Sequence, residues 1–346
     1  MSPTDKIQLL NISDKMWREF VNHDYQINIF HNTQWIELIA EFYGFKPFVI
    51  AICDRNGDIR AGIPVVDVNS FLTGRRWISL PFSDHCNPLY KEESDLIQLS
   101  KELDLLSRKQ KTIPIELRGK YSLNNSMITN SNHVLSILKL DPDPDKKYNQ
   151  FHSMHKRNLK KAQKSGLRIE MSTSQEKMDR YYQLHLHNRK RQGIPVQPKK
   201  FFNQLRKKIL EQGFGFILLA YLEDECIAAN IFLHWGQTLT YKYGASNPER
   251  LDLRPNNLLM WEGIRWGCEN GYRILDLGRT SISNVGLRNF KNKWGAKETP
   301  LPYAILPARS YSSPNKRIER VMHSIIRNSP SWVCRVSGEL FYKHFA

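Results

Sequence analysis

Asp276, Gly278 and Arg279 stand together, and Lys291 follows twelve positions after Arg279, directly behind Phe290. A carboxylate at the C-terminal edge of a strand can accept a proton from an attacking amine. The same aspartate can instead cap its own turn, with Arg279 as ion-pair partner. Arg279 carries a planar fork of donors that suits phosphate oxygens. An exposed Lys291, with a pKa of about 10.4, would supply charge and not act as a base; otherwise it is one cation of a short basic helix with Arg288, Lys293 and Lys297. Tyr241 and Tyr243 alternate along one predicted strand. They are therefore expected on the same side, either bonding a sugar or peptide acceptor or packing as core aromatics.

Two basic strips stand apart from these residues. His185 and Arg189 are i, i+4 neighbours on a helix with Arg191 at its C-terminal end, just past Lys190, a phosphate-binding edge or a solvated face. Lys156, Lys160 and Lys164 repeat at i, i+4, i+8, the most concentrated positive surface in the chain, able to meet phosphates or simply face water. No third ligand at zinc spacing accompanies the histidines, so no metal site is expected. Neither a Ser-His-Asp order nor a Cys-His pair stands in a hydrolase context.

The elements that must position these groups are legible from periodicity. Asn32–Tyr43 has helical spacing behind a capping Asn32 or Thr33, and strands 48–53 and 59–68 are split by the turn Asp54–Asp58. A strand at 77–80, a helix over 95–109 and strands at 114–118 and 134–140 complete the first half. Asp141–Asp145, with two prolines and three aspartates, disfavours helix and strand alike and marks a domain boundary. Beyond it the pattern predicts helices 154–165, 175–190 and 199–212, then three antiparallel strands (216–222, 226–235, 238–245). Helix 257–270, in which Trp261 and Glu262 read as structural, strand 273–277, helix 285–292 and strand 302–306 follow. The fold class is α/β with a mixed sheet.

Charge changes at the same boundary. The 346 residues carry 51 Lys plus Arg against 34 Asp plus Glu, a net of +17. Residues 1–150 hold 18 basic and 19 acidic side chains, whereas residues 151–346 hold 33 and 15, a net of +18. Such a field attracts polyanions without naming one. Five scattered cysteines without a CxxC pair fit reduced thiols better than a disulfide framework. No apolar run reaches the ~18 residues of a membrane span, and the first residues lack a signal-like core. The expectation is a cytoplasmic protein, soluble or peripheral. Residues 314–346 form two basic amphipathic segments broken at Pro330, with Trp332, Val333, Val336, Leu340 and Phe341 at helical spacing in the second. They either pack on their own domain or lie on an anionic membrane face.

Five stretches carry a resemblance. Met154–Gly166, Arg191–Pro195 with Phe201, Tyr241–Ser246, Asn256–Glu262 with Gly271, and Asp276–Arg279 with Phe290–Gly295 resemble, in order, the motifs of the FemAB-like peptidyl and acyl transferases. These are a branch of the acyl-CoA N-acyltransferase (GNAT) superfamily. The last pair, with the tail Pro330–Gly338, is similar to the FemAB-like proteins of exosortase and exopolysaccharide systems. The resemblance implies two tandem GNAT-like domains, a degenerate one at 1–145 and a second at 146–312, followed by a helical tail at 313–346.

It further implies transfer of an acyl or aminoacyl group from an activated ester or thioester to an amine of a cell-envelope or exopolysaccharide precursor. Lys291 would lie beside the acyl carbonyl, with Asp276, read from its place at the strand edge, as the candidate proton acceptor. In such a reaction Arg279, Tyr241, Tyr243, Phe290, Arg189, Arg191, Lys156 and Lys160 are the candidate substrate contacts, the basic ones read from charge and spacing. No tightly held cofactor is implied. The donor would be acyl-CoA, an acyl-carrier thioester or aminoacyl-tRNA, and the acceptor an amine on a sugar, peptide or lipid-linked precursor. Two departures bear on the donor: the glycine-rich pyrophosphate loop of coenzyme A enzymes is absent, Glu249–Pro255 standing in its place, and no long coiled-coil arm interrupts the helices near Gly193. The contrasting expectation is a non-catalytic scaffold, or a nucleic-acid- or membrane-binding module, on the same fold.

Overall fold

A computed structural model describes residues 6–22, 27–71, 73–109, 113–122, 128–307 and 323–345. The chain runs through β1 (Lys6–Leu10), α1 (Lys15–Asn22), α2 (Thr33–Tyr43), β2 (Lys46–Cys53), β3 (Ile59–Ser70), β4 (Gly74–Ile78) and the short β5 (Leu89–Tyr90). Then α3 (Glu93–Lys109) crosses over to β6 (Ile115–Arg118), and β7 (Ile128–Lys139) follows. Strands β1 to β4 are antiparallel, while β6 pairs parallel with β4. The local signals are clear: Asn32 accepts from the Gln34 N–H at the start of α2, and Gly44 closes that helix in the left-handed region.

The second part of the chain repeats this plan. After α4 (Pro144–Asn149) and α5 (Ser153–Lys164) come β8 (Arg168–Ser172), α6 (Gln175–Arg191) and α7 (Lys199–Leu205), the last extended by a π-helical turn to Leu210. Strand β9 (Gly215–Leu222) pairs antiparallel with β8, β10 (Glu225–Trp235) with β9, and β11 (Thr238–Ser246) with β10. Helix α8 (Pro255–Glu269) crosses over to β12 (Ile274–Ser281), which pairs parallel with β11. Helix α9 (Val285–Asn292) and β13 (Lys297–Leu306) follow, then a helix at 323–328 (α10) and α11 (Ser331–Phe341).

All thirteen strands join one sheet in the order β1-β2-β3-β4-β6-β13-β7-β12-β11-β10-β9-β8, with β5 off the path on β3. The last strands of the two repeats are exchanged: β13 pairs with β6, and β7 pairs with β12. No gap in the sheet therefore follows the charge change at 141–145. That segment also differs from its expected irregular form. Asp143 accepts from the Asp145 and Lys146 N–H groups and Pro144 takes the first helical position, so the Asp-Pro repeat starts α4.

One apolar cluster spans both repeats on one face of the sheet, from Trp17 and Trp35 to Tyr181, Phe201, Phe202 and Leu205. The other face carries two clusters, one under α3 and one joining α5, α8 and α9 around Phe151, Leu159, Trp261 and Trp294. Among the described residues no helix is long and apolar enough to cross a membrane.

The exchange of β7 and β13 makes a testable demand. A protease site placed within 141–145 should give two fragments that still co-elute on native gel filtration and separate only in denaturant. Separation under native conditions would contradict the strand order.

Candidate active site

Strands β11 and β12 pair for three residues only, Thr238–Thr240 against Ile274–Asp276, and then diverge. Each is bulged where they part. In β11, Ile231 faces Tyr243 while Phe232 faces Tyr241, so Lys242 is the extra residue. In β12, the register against β7 slips between Asp276 and Arg279, with Gly278 at φ +72. A bulge breaks the alternation of side chains. Consequently Tyr241 and Tyr243 do not share a side, as simple alternation requires. Tyr241 packs on Phe232 within the α8 cluster, and Tyr243 packs on Phe202 and His185 across the sheet.

The opening is entered by residues 79–88, which lead from β4 to β5. Leu80 and Phe82 adopt positive φ (66 and 59) without being glycine, a strained backbone that persists only when its surroundings hold it. They do hold it. The Trp35 indole N–H donates to Ser83 Oγ at 2.9 Å, Lys242 Nζ to the Phe82 carbonyl at 2.9 Å, and the Tyr303 hydroxyl to the Asp84 carbonyl at 2.7 Å. His31 Nε2 lies 2.9 Å from the Asn87 carbonyl; burial pushes this imidazole down to about 4, so it stays neutral at pH 7.

His85 and Asp276 meet at the centre, Nε2 to Oδ2 at 2.7 Å, both nearly fully buried. The other oxygen of Asp276 accepts from the Gly278 N–H at 2.7 Å. Nδ1 of the same imidazole has no hydrogen-bond partner among the described residues. Asp84 lies against Gly278 so closely that a Cβ there would stand 2.7 Å from its Oδ2. Burial raises the Asp84 pKa, but Lys242, Arg279, His85 and Lys291 outweigh it and hold the carboxyl below its usual range. Lys242 is itself lowered by burial, which the charge of Asp84 opposes.

Lys291 is not the exposed cation that its sequence context suggests. It is 3% exposed and donates to the Gly278 carbonyl at 2.8 Å, Thr280 Oγ1 at 2.7 Å and the Arg279 carbonyl at 3.3 Å. Three acceptors use all three ammonium protons and lock the β12 bulge. Burial lowers its pKa from 10.5 to about 8, against the pull of Asp84, Asp276 and Glu298. Arg279 is exposed, donates to the Tyr303 hydroxyl at 2.8 Å and lies 3.8 Å from Asp84.

Other expected substrate residues lie elsewhere or face inward. Phe290 packs edge-on to His155 and Trp294, anchoring α9. Lys156 donates to the Asn149 carbonyl and sits over Tyr148, whereas Lys160 is exposed on α5. Arg191 is exposed at the end of α6; half-buried Arg189 sits where its charge opposes the raised pKa values of Tyr243 and Tyr342. His185 belongs to no solvated edge: it is buried on Tyr181, and desolvation holds it well below its ordinary pKa.

The opening therefore gathers Asp276, Lys291 and Arg279 with Asp84, His85 and Lys242, three residues not singled out from sequence. Their signal was available. Pro81 and Pro88 bracket an Asp84-His85 pair in a stretch suited to neither helix nor strand, and loops of that kind carry function. Among the described residues no cluster of His, Cys, Asp or Glu could hold a metal ion.

Residues 149–292 match the family model described as acetyltransferase (GNAT) domain. No curated protein matches the chain. Among solved structures, FemX superposes with a TM-score of 0.65 at 15% identity, covering 91% of this chain and all of that one. The C-terminal domain of a putative lysylphosphatidylglycerol synthetase from Agrobacterium fabrum gives 0.54 at 13% identity, with 85% and 92% covered. A tandem GNAT protein from the clavulanic acid biosynthesis pathway gives 0.52 at 9% identity, with 88% and 100% covered.

Two measurements probe this geometry. His85→Ala strands a buried carboxyl oxygen and should cost about 3 kcal/mol in denaturant unfolding; a double-mutant cycle with Asp276→Asn should show coupling of about 1 kcal/mol or more. For Lys291, the folded pKa lies below the unfolded one, so between pH 8 and 10.5 the unfolded chain binds the extra proton and stability rises with pH. Relative to Lys291→Met, the wild type should gain about 3 kcal/mol across that window; a pH-independent difference would contradict the buried ammonium. In strand order and in these likenesses, the chain has the fold of a tandem GNAT protein.

Proposed function

We propose that this protein transfers an acyl or aminoacyl group from an activated ester or thioester to an amine, at the opening between β11 and β12. One observation carries the reading: groups from both repeats converge there, three cations (Lys242, Arg279, Lys291) beside two carboxyl groups (Asp84, Asp276) and an imidazole with one free nitrogen. In this reaction the amine nitrogen bonds to the acyl carbon and the C–O or C–S bond of the donor breaks. The amine proton passes to the His85–Asp276 pair and the leaving oxygen or sulfur takes up a proton. Lys291 and Arg279 bias the site toward the negative charge that develops on the acyl oxygen. Arg279, being exposed, also suits a donor phosphate.

Motifs in the sequence support the narrower placement among FemAB-like proteins of exosortase and exopolysaccharide systems, with an amine of an envelope precursor as acceptor and the cytoplasm as location. The neighbours' names point to different donors, one to a lysyl transfer and one to acetyl-CoA. Residues 248–253 form a 3-10 turn and Pro255 begins α8 without an N–H, which favours aminoacyl-tRNA or a carrier thioester over coenzyme A. A second reading, a non-catalytic scaffold, is favoured by the full engagement of the Lys291 protons.

Offering labelled acyl-CoA, acyl-carrier thioester and aminoacyl-tRNA with amino-sugar, peptide and lipid-linked amines separates the two. Transfer from one donor is expected, with Lys291→Ala and Asp276→Asn each lowering kcat about 100-fold. No transfer from any donor leaves the scaffold reading, whereas full activity in both variants would overturn the roles given to Lys291 and Asp276.

A further inference from the structure

Helix α11 has two apolar faces, and among the described residues one is covered and the other faces solvent. Its inner face is docked at close range: a Cβ on Gly338 would stand 1.8 Å from the Val196 carbonyl oxygen, and the Cys334 thiol points at the Ile194 carbonyl, 3.5 Å away. On the opposite side Trp332, Val336 and Leu340 repeat at i, i+4, i+8 and face solvent, Trp332 59% and Leu340 58% exposed. Large exposed apolar side chains continue along the same edge. Ile325 lies on α10, whose His323 abuts Gly193; Ile194 follows that glycine; and Phe71, 76% exposed, has its ring against His344.

The border of this strip is cationic. Arg191, Arg327, Arg335 and Lys343 are exposed around it, and Glu339 is the one acidic residue among 323–345. A row of Trp and aliphatic side chains lying along the surface, rimmed by arginine and lysine, matches the headgroup–acyl boundary of an anionic bilayer.

We propose that the outer face of α10 and α11, with Ile194 and Phe71, binds the surface of an anionic lipid bilayer. The strip connects to the candidate active site: Tyr342, in the turn after α11, stacks on Phe82 at 5.2 Å, and Phe82 belongs to the strained loop whose carbonyl holds Lys242. Docking there brings the β11–β12 opening close to the membrane plane, where a lipid-linked amine would be presented. The lipid contact itself stands independently of the transferase reading.

The experiment is co-sedimentation of the full chain with phosphatidylcholine vesicles, with and without phosphatidylglycerol. Wild type should sediment only with the phosphatidylglycerol vesicles, and added salt should release it. Trp332→Glu/Leu340→Glu changes only outward-facing side chains and should lower partitioning about tenfold or more, with an unaltered thermal melt. Trp332→Leu, which keeps the face apolar, should retain binding. Absence of phosphatidylglycerol-dependent sedimentation in the wild type overturns the proposal, as does equal binding by the double variant. Should the double variant not fold, Arg335→Glu/Lys343→Glu replaces it, with the same loss expected and wild-type binding overturning. A concentration-dependent dimer that disappears in the double variant would assign the strip to a second copy and also overturn it. Donor transfer is measured separately, so failure of either reading leaves the other standing.

Discussion

A buried hydrogen bond from His85 to Asp276 joins the two repeats at the point where the sheet opens, beside the bond of Lys242 to the Phe82 carbonyl. The histidine comes from a loop of the first repeat and the aspartate from the parallel strand of the second. Neither can keep its place without the other, because an unpaired carboxyl in that interior is costly. The β12 bulge, the position of Asp84 over Gly278 and the three bonds of Lys291 are all arranged around this pair. The positive φ values of Leu80 and Phe82 are tolerated because the bonds of Ser83, Phe82 and Asp84 hold the same loop.

Much of the scaffold was legible in the sequence. Long amphipathic helices with clear caps, such as α2 and α6, and the consecutive hairpins β9 to β11 follow directly from periodicity and turn residues. Strand exchange was not legible, since pairing between β6 and β13 depends on contacts almost two hundred residues apart. The candidate site was half legible. Asp276, Arg279 and Lys291 announce themselves by motif, but their partners Asp84 and His85 sit in a loop of the other repeat, beyond the reach of local pattern. Alternation failed at Tyr241 and Tyr243 because a bulge is a local exception to a period of two, and Lys242 supplies the extra residue. Burial reversed the expectation for Lys291: a lysine in a basic run looks solvated until the fold turns it inward.

The net charge of the second part also changes meaning once it is placed. Several of its cations are committed locally, Arg288 to Glu298, Arg250 to Glu225 and Lys199 to Asp179 among them. Others stand on helix α5 and along the edge formed by α10 and α11, two surfaces with different neighbours. Three cations from that part lie in the opening itself, where two carboxyl groups already face them. An incoming anion therefore meets a site whose charge is nearly compensated, which favours selectivity over simple attraction.

Exchange of the last strands has a consequence during synthesis. Strand β6 leaves the ribosome with β4 on one edge, while its other partner, β13, is made only after the whole second repeat. At ordinary translation rates of about 5–20 residues per second, roughly 10–40 s separate the two. Throughout that interval the nascent first repeat carries an open backbone edge of the kind that invites wrong pairing. The brevity of β6, four residues, limits how much of that edge is on offer before its partner arrives.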